Sequence, residues 1–393
     1  MDFSSEDFRR NPYPVYDQIR SVSPVFREPQ SGLWMIFDYE GVKRALADHE
    51  AFSSEYGPDW LIFSDPPRHT KLRVLVSQAF TPRSIAGLEG RIRELARELL
   101  DQTIERGEMD LAADFAIPLP MIVIAEMLGI PVADRERFKR WSDAILNMSY
   151  TIAGSTEAAR AANEEFLAVT VEMNAYLADL LDLRRSEPKD DLLTRLARAE
   201  MDGERLTQEE ILGFFQLLLL AGNETTTNLL NNAVLCFIEN PDELDRLRRR
   251  LDLLPSAIEE IVRYRSPLQW IGRVTKREVE MHGEVIPAGT FVLVMIGAAN
   301  RDPEHFRDPN RFDITRDPNP HLAFGHGVHF CLGAPLARLE AKIALGHLLE
   351  RLQSFELASD EPWPPRTGLH VLGPSSLPIR FQAASRAAAL ARV

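Results

Sequence analysis

The sequence predicts a mainly helical protein with small β-sheets. Most segments place apolar residues three and four positions apart, which is the spacing of one helix face. Alternating, strand-like segments are fewer and shorter, and no internal repeat or Gly/Ser-rich linker divides the sequence. We therefore expect a single domain over residues 1–384, although a length of 393 residues would ordinarily suggest two or three domains. The Ala/Arg-rich residues 385–393 are expected to form a loose tail.

The predicted elements follow in chain order. The helix period predicts helices at 11–19, 39–48, 85–106, 121–128, 157–183, 190–200, 207–239, 241–250, 255–264 and 334–352. A further helix is expected after Pro66 and Pro67, with Asp65 as its N-terminal cap. The alternating pattern predicts strands at 25–28, 33–37, 279–281, 291–295 and 378–381.

The longest predicted helix spans 207–239. Thr207 and Glu210 form a capping box at its start, and the first proline after them is Pro241, where the helix must end. At 1.5 Å per residue such a helix is roughly 50 Å long, so it has to cross the whole domain. Its middle changes from an apolar run to a glycine, an acid and three threonines at 222–227. This pattern fits either a buried helix with a hydrated kink or a pocket wall that carries a proton relay.

Composition and charge exclude several classes of function. The chain has 45 Lys and Arg against 59 Asp and Glu, and this net charge of −14 argues against nucleic acid or an anionic membrane as a partner. Two cysteines, Cys236 and Cys331, are too few for a disulfide framework or a zinc ribbon. The polar N terminus is not a signal peptide, and prolines and a glutamate interrupt the longest apolar stretch, 115–132. We therefore expect a cytoplasmic protein without a membrane anchor.

The strongest functional signal is the segment 324–333, which reads Phe-Gly-His-Gly-Val-His-Phe-Cys-Leu-Gly. Its single cysteine, Cys331, lies in a glycine-rich turn directly before a predicted helix, and the first amides of a helix stabilise a thiolate. Glycines also allow a flat ligand to approach the backbone closely. A dinucleotide-binding fingerprint would need glycine at the position of Phe330, so nicotinamide binding is not expected.

This segment resembles the heme-binding signature of the cytochrome P-450 family at Phe324, Gly325, Gly327, His329, Cys331 and Gly333. Other segments resemble further motifs of the family in the same order. They are the propionate-contacting helix (65–73), the oxygen-activating helix (221–226), the Glu-x-x-Arg motif (260–263) and the segment with a second arginine (309–312). The resemblance covers about residues 8–382 and is closest to soluble bacterial members. It implies the P-450 fold, with heme b between a long central helix and the cysteine loop.

The resemblance also assigns heme-binding roles. Cys331 would bind the iron as a thiolate, which in this family favours cleavage of the O–O bond. The residues implied to pair with the heme propionates are His69, Arg73, Arg273 and His329. Ala221, Phe324 and Gly333 would complete the heme contacts. His69 and Arg73 are spaced i, i+4 and share one helix face, which taken alone would also fit a solvated surface.

The resemblance also implies a structural network near the heme. Glu260 and Arg263 are spaced i, i+3 and are expected to form this buried network with Arg311, for which Arg316 is the alternative.

Glu224 and Thr225 resemble the acid–alcohol pair of the family. The acid relays protons, and the hydroxyl holds a water or accepts a hydrogen bond beside the bound oxygen. Peroxide-driven members usually lack this pair, so its presence favours O2 with externally supplied electrons.

The resemblance suggests how electrons arrive. Family members of this length carry no fused reductase, so the expected partner is a separate ferredoxin or flavodoxin with its NAD(P)H reductase. Arg68, Lys71, Arg338 and Lys342 are candidate docking residues on the cysteine side, although ordinary surface charge would explain each of them.

The expected substrate pocket is apolar. The segment between Phe52 and His69 is short for the family, so its own residues would have to cover the heme. The candidate lining residues are Trp60, Leu61, Phe63, Leu217, Leu218, Leu268, Gln269, Ile271, Val371 and Leu372, with Gln269 as a polar anchor. Such a wall predicts a lipophilic substrate, such as a fatty acid, terpene, steroid or polyketide, that is hydroxylated or epoxidised. The alternatives are a peroxide-driven heme-thiolate peroxygenase and a heme-binding sensor without turnover.

Overall fold

The structure is a computed structural model that describes residues 5–151 and 157–384. The tail predicted at 385–393 lies outside the described residues. The helices are α1 Glu6–Arg10, α2 Tyr13–Val22, α3 Tyr39–Ala47, α4 Arg68–Ala79, α5 Pro82–Ala86, α6 Glu89–Asp101, α7 Pro118–Leu128, α8 Arg135–Thr151, α9 Glu157–Ser186, α10 Leu192–Arg198, α11 Gln208–Glu239, α12 Pro241–Arg249, α13 Leu254–Tyr264, α14 Ile296–Ala299 and α15 Ala334–Arg351. This confirms the predicted mainly helical class.

The strands are short, as predicted. They are β1 Val25–Arg27, β2 Trp34–Ile36, β3 Phe52–Ser53, β4 Glu108–Asp110, β5 Glu200–Met201, β6 Glu204–Arg205, β7 Ile271–Thr275, β8 Val279–Met281, β9 Glu284–Ile286, β10 Phe291–Val294, β11 Leu352–Leu357 and β12 Pro378–Ala383. Short 3₁₀ turns occur at Leu61–Phe63 and Gly327–His329, among other places.

A five-stranded sheet has the order β1-β2-β10-β7-β3. β10 runs parallel to β2 and antiparallel to β7, so Arg273 of β7 is paired with Val292 in the interior of the sheet. A three-stranded antiparallel sheet has the order β11-β12-β4. The sequence prediction missed β7, because Gly272 and Arg273 interrupt its alternating pattern.

The single helix predicted at 85–106 is wrong, because the chain forms two helices there. α5 starts at Pro82, where the Thr81 side chain accepts a hydrogen bond from the backbone of Ser84, and it ends at Ala86, before Gly87. α6 then begins at Glu89 and buries one apolar face. Asp65 is also not the cap of α4, because Pro67 stands at the cap position without a side-chain hydrogen bond.

The long helix α11 confirms the strongest element prediction. The Thr207–Glu210 capping box is present, and 32 residues follow in one helix that packs against α7, α8, α13 and α15. Gly222 lies where a Cβ atom would come within 2.5 Å of the Ile124 side chain of α7. The glycine therefore permits close packing of the two helices. Within the described residues, no helix has both the length and the apolar character needed to span a membrane.

Candidate active site

Cys331 lies in a tight loop between the Gly327–His329 turn and α15. Gly325 and Gly327 have φ values of +76° and +72°, a region that L side chains rarely adopt. The Cys331 backbone N–H donates to the Phe324 carbonyl at 2.8 Å, which closes the loop. Burial raises the pKa of the Cys331 thiol, while the N–H groups of Gly333 and Ala334 act in the opposite direction. These donors favour the thiolate that a metal ligand requires.

Four nitrogen-bearing side chains from three parts of the chain are arranged around this loop. His69 and Arg73 come from α4, Arg273 from β7 and His329 from the loop itself. The two imidazole rings have centroids 4.0 Å apart, and Arg73 donates to the carbonyl of Phe330 at 2.7 Å. The structure therefore brings together all four residues implied to contact propionates.

Among the described residues, no carboxylate forms an ion pair with this cluster. Both ring nitrogens of His69 and the Nη2 atom of Arg273 are buried without a hydrogen-bond partner among the described residues. Burial, with Arg73 as the next contribution, lowers the pKa of His69 to about 4. Burial, with His69 as the next contribution, lowers the pKa of His329 to about 3.

The nearby carboxylate does not supply the missing charge. Asp65 accepts hydrogen bonds from the Ser53 hydroxyl at 2.7 Å and the Ser54 N–H at 2.9 Å, and it pairs with Lys276 at 2.8 Å. Unpaired buried donors are costly, so the cluster fits a ligand that brings its own carboxylates. A thiol ligand beside such donors matches heme b, which carries an iron and two propionates.

Glu260 and Arg263 form the predicted buried pair on α13. Arg263 donates to the two carboxylate oxygens at 2.7 and 2.8 Å, and both side chains are fully buried. Arg316 donates to the same carboxylate at 3.1 and 3.2 Å, and the Asp313 N–H adds a bond of 3.0 Å. The prediction of Arg311 is wrong: its side chain is exposed, and only its carbonyl reaches the network, where it accepts from Arg263 and Arg316.

A second anchor of the cysteine loop was not predicted. Arg338 donates two hydrogen bonds of 2.7 Å to Glu259 and lies 4.3 Å above the ring of Phe324. Burial alone would raise the pKa of Glu259, but Arg338 and His321 hold it at about 2. Since 79 residues separate Glu259 from Arg338, no local pattern could have revealed the pair. Arg338 therefore braces the loop and is not a free docking residue.

The other candidate docking residues differ in what they contact. Arg68 forms a forked ion pair with Asp59, and Lys71 forms an ion pair with Glu204. Lys342 is exposed on α15. Part of the predicted basic face is therefore already paired with acids of the same chain.

The acid–alcohol pair lies in the middle of α11. The Thr225 hydroxyl donates to the Ala221 carbonyl at 2.7 Å, which leaves the hydroxyl oxygen as an acceptor. Glu224 is buried, with only 5% of its surface exposed, while Ala221 is exposed. Two residues after Thr225, Thr227 donates to the Ala116 carbonyl at 3.0 Å.

The predicted pocket residues do not all line a pocket. Leu61 and Leu217 are buried in the main core cluster, and Phe63 and Leu218 pack against it. Leu268 is linked to Val371 by an isolated β-bridge beside Ile271, the first residue of β7. The indole N–H of Trp60 donates to the side chain of Gln216 on α11 at 3.0 Å. This polar group is therefore already used in a hydrogen bond within the protein.

Two predicted pocket residues are almost fully buried, and the prediction of Leu372 as a pocket residue is wrong. Gln269 is 2% exposed, and its amide donates to the Ser266 carbonyl at 2.6 Å while its side chain packs over Gly297. Its amide N–H therefore stabilises the loop, while its Oε1 atom is buried without a hydrogen-bond partner among the described residues. Leu372 is 1% exposed and belongs to the N-terminal core cluster that includes Phe37, so it is a core residue.

Comparison of the sequence and of the fold with known proteins supports the site described above. The sequence model of the cytochrome P-450 family matches residues 29–381. Cytochrome P-450 109 of Bacillus spizizenii is 43% identical over 387 residues, which cover 97% of this chain and 94% of that protein. The structure of CYP109Q5 from Chondromyces apiculatus is 41% identical with a TM-score of 0.89, and the match covers 98% of this chain and 99% of that one. CYP109E1 from Bacillus megaterium, solved with corticosterone, is 40% identical with a TM-score of 0.89 over 96% of this chain and 100% of that one.

These matches extend over nearly the whole chain, so they confirm the predicted fold, cofactor and class of activity together. Heme b is the cofactor of the family, and the residues of this chain supply a thiol ligand and unpaired donors that fit it. The chain therefore belongs to the cytochrome P-450 family and is a heme-thiolate monooxygenase.

Proposed function

We propose that this enzyme inserts one oxygen atom from O2 into a lipophilic small molecule and receives its electrons from a separate ferredoxin or flavodoxin. The observation that carries the proposal is the cluster of His69, Arg73, Arg273 and His329 beside Cys331, in which His69 and Arg273 are buried with nitrogens that lack a partner in the described structure. When bound there, heme supplies the activation of dioxygen.

The side chains of this loop would hold and orient the cofactor. Cys331 would bind the iron, with its sulfur supported by the N–H groups of Gly333 and Ala334. His69 and Arg273 would donate their unpaired N–H groups to the propionates. The Glu259–Arg338 pair would keep the loop in position through Phe324.

The residues of α11 would control protons. Because the Thr225 hydroxyl donates to Ala221, its oxygen is oriented to accept a hydrogen bond from a water molecule at the reaction site. Glu224 is buried next to it and can take a proton from the solvent side and pass it on when its side chain rotates.

The substrate class is inferred from the apolar side chains near α11. Phe63 and Leu218 are partly exposed on or beside the helix, and the relative CYP109E1 has been solved with corticosterone. We propose a lipophilic substrate and would screen steroids first, followed by fatty acids, terpenes and polyketides. Binding is measured by the optical shift of the ferric heme.

The electron partner would dock on the side of Cys331. Lys342 is the candidate contact there that is exposed and not held by an acid in the described structure, whereas Arg68 and Lys71 would have to exchange partners. Lys342→Glu should raise the KM for a ferredoxin at low salt and leave the heme spectrum unchanged.

The thiolate assignment has a direct test. Reduced protein under carbon monoxide should show the strongly red-shifted Soret band of a thiolate-bound heme, and Cys331→Ser should abolish it. Cys236→Ser is the matched control, because Cys236 is fully buried in α11 and burial raises its pKa to about 12. Loss of the band in the control variant alone would overturn the assignment.

The proton relay is tested by coupling. Thr225→Ala should still consume O2 and reductant, but product per reductant should fall and hydrogen peroxide should rise to match. Relay groups are worth about 10²–10⁴-fold in the step they control, so the change should be large. Thr225→Ser keeps the hydroxyl and should restore coupling. Normal coupling in Thr225→Ala would remove this residue from the relay.

A further inference from the structure

Helix α11 carries two adjacent buried asparagines that differ in their partners. Asn231 and Asn232 are both 0% exposed. The Nδ2 atom of Asn232 donates to the Leu372 carbonyl at 2.9 Å and to the Arg265 carbonyl at 3.3 Å. Neither amide atom of Asn231 has a hydrogen-bond partner in the described structure. One amide therefore joins the helix to two other segments of the chain, whereas its neighbour does not.

The two carbonyls belong to residues 265–268 and 371–373, which we call the paired segments. The Leu372 N–H donates to the Pro267 carbonyl at 2.9 Å, and an isolated antiparallel β-bridge lies next to this bond. The backbone of each segment is thus held by the other. Because Asn232 donates to one carbonyl in each of them, a single side chain attaches the whole pair to α11.

The paired segments carry two of the candidate pocket residues. These are Leu268 and Val371, which the β-bridge joins directly. Leu268 is partly exposed, whereas Val371 is 6% exposed. Because their backbones are joined, a shift of one segment moves both side chains. The hydrogen bonds of Asn232 therefore fix the position of both residues relative to α11.

Asn232 lies on the face of α11 that carries Thr225. The two residues are seven positions apart, which is about two helical turns, and Asn228 lies between them on the same face. Thr225 is partly exposed, whereas Asn228 is 0% exposed. A Cβ atom at Gly373 would lie 2.2 Å from the Asn228 Oδ1 atom, so the close approach of this segment requires a glycine. The paired segments therefore cover α11 just beyond the residues proposed to control protons.

We propose that Asn232 is a positioning residue that determines which ligands fit beside the heme, because it fixes Leu268 and Val371 at the edge of the pocket. This role rests on the heme site and the pocket proposed above. Asn232 is fully buried by the protein, so it acts through the paired segments and not by contact with the ligand. Loss of such a hydrogen bond changes an equilibrium about 3- to 10-fold, so the effect belongs to ligand selectivity.

The test compares two ligands of the ferric heme in the holoenzyme by optical titration. Imidazole is too small to reach the pocket walls, whereas 4-phenylimidazole adds a phenyl ring that is large enough to contact them. Asn232→Leu removes the amide and leaves both carbonyls without this donor, so the walls lose their support. The Kd for 4-phenylimidazole should rise about 3- to 10-fold, while the Kd for imidazole should change less than twofold. Asn232→Ser keeps a donor and should have a smaller effect in the same direction.

Two controls isolate the role of Asn232. Asn231→Leu makes the same substitution at the adjacent buried amide, which has no partner among the described residues. Thr227→Val removes a different buried hydrogen bond of α11, whose acceptor, the Ala116 carbonyl, belongs to neither paired segment. Thr227→Val should lower the unfolding temperature, as Asn232→Leu does. Neither control should change the ratio of the two Kd values more than twofold.

The carbon monoxide spectrum separates this role from the heme assignment, because the red-shifted Soret band depends on the thiolate and should be the same in every variant. An unchanged Kd ratio in Asn232→Leu, with that band intact, would overturn the positioning role and leave the heme-thiolate function standing. Equal weakening of both ligands would also overturn it, because Asn232 would then support the heme and not the pocket. The same change of the ratio in Thr227→Val would overturn it as well, because general destabilisation would explain the effect. Absence of the band from the wild type would overturn the heme site and, with it, this role.

Discussion

Two clusters of nitrogen-bearing side chains, both partly or fully buried, differ in whether an acid of the same chain pairs with them. Around Glu260, the guanidinium groups of Arg263 and Arg316 share a carboxylate of the same chain. Around Cys331, His69 and Arg273 have buried nitrogens without a partner in the described structure. The balanced cluster around Glu260 stabilises the fold. The unbalanced cluster around Cys331 fits a ligand that carries negative charge.

The comparison predicts opposite responses to mutation. Removing the carboxylate from the balanced cluster strands buried charges, which is among the costliest single changes in a protein. Removing Arg273 from the unbalanced cluster takes away a charge that has no ion-pair partner in the part of the chain that the structure describes. The stability of the fold should therefore change little, whereas heme binding should weaken.

The largest expected effect is that of Glu260→Ala. It leaves Arg263 and Arg316 without their shared carboxylate, and breaking a buried pair costs about 3–5 kcal/mol. We expect little folded holoprotein, as measured by the yield of heme-loaded protein and by thermal unfolding. Glu259→Ala is the control on the same helix, since that carboxylate is 29% exposed and its loss should cost less. Full heme loading of Glu260→Ala would contradict the balanced network.

The second effect separates the two candidate arginines. Arg316→Ala removes a donor to Glu260 and should lower the free energy of unfolding by ~1–3 kcal/mol. Arg311→Ala removes an exposed side chain and should change it by less than ~0.5 kcal/mol, because only the backbone carbonyl of Arg311 takes part. Urea titrations of the two variants measure the difference. Equal losses would mean that the Arg311 side chain also contributes.

Much of the balanced cluster could be predicted because its strongest part is local. Glu260 and Arg263 are one helical turn apart, so their spacing alone places them on one face. The choice between Arg311 and Arg316 could not be predicted, because both lie in an irregular segment without periodicity. There, a side chain's direction depends on contacts with Asp308 and Arg307 that only the folded chain reveals.

The distal side was predicted less well for a related reason. The capping box and Pro241 define α11, and Glu224 and Thr225 follow from the motif. The roles of Trp60 and Gln269 depend on partners that do not form a sequence motif, Gln216 and Ser266. An apolar or amide residue near a pocket can face either the ligand or the core, and sequence spacing does not distinguish the two.

Glu340 extends the comparison to a buried carboxyl with neither an ion pair nor a hydrogen bond in the described structure. It is 1% exposed on α15, and burial raises its pKa from 4.5 to about 8. The folded state therefore holds this proton more tightly than the unfolded state, so the contribution of Glu340 to stability is greatest below pH 4.5 and is lost as the pH rises toward 8. Glu340→Gln should remove this loss, so it should stabilise the protein more at pH 8 than at pH 4.5, as measured by urea titration at the two pH values. The same gain at pH 4.5 and pH 8 would contradict the burial effect.

The central claim is that the unbalanced cluster exists for the cofactor, and Arg273→Leu tests it most directly. The measurement is the rate at which the holoenzyme loses heme to excess apomyoglobin, together with thermal unfolding of the same variant. Arg277→Leu is the control, because it removes an exposed cation two residues beyond the strand that carries Arg273. We predict that Arg273→Leu loses heme about tenfold faster, which corresponds to one charge-assisted hydrogen bond, while the control behaves like the wild type. An unchanged rate of heme loss in Arg273→Leu would contradict the account.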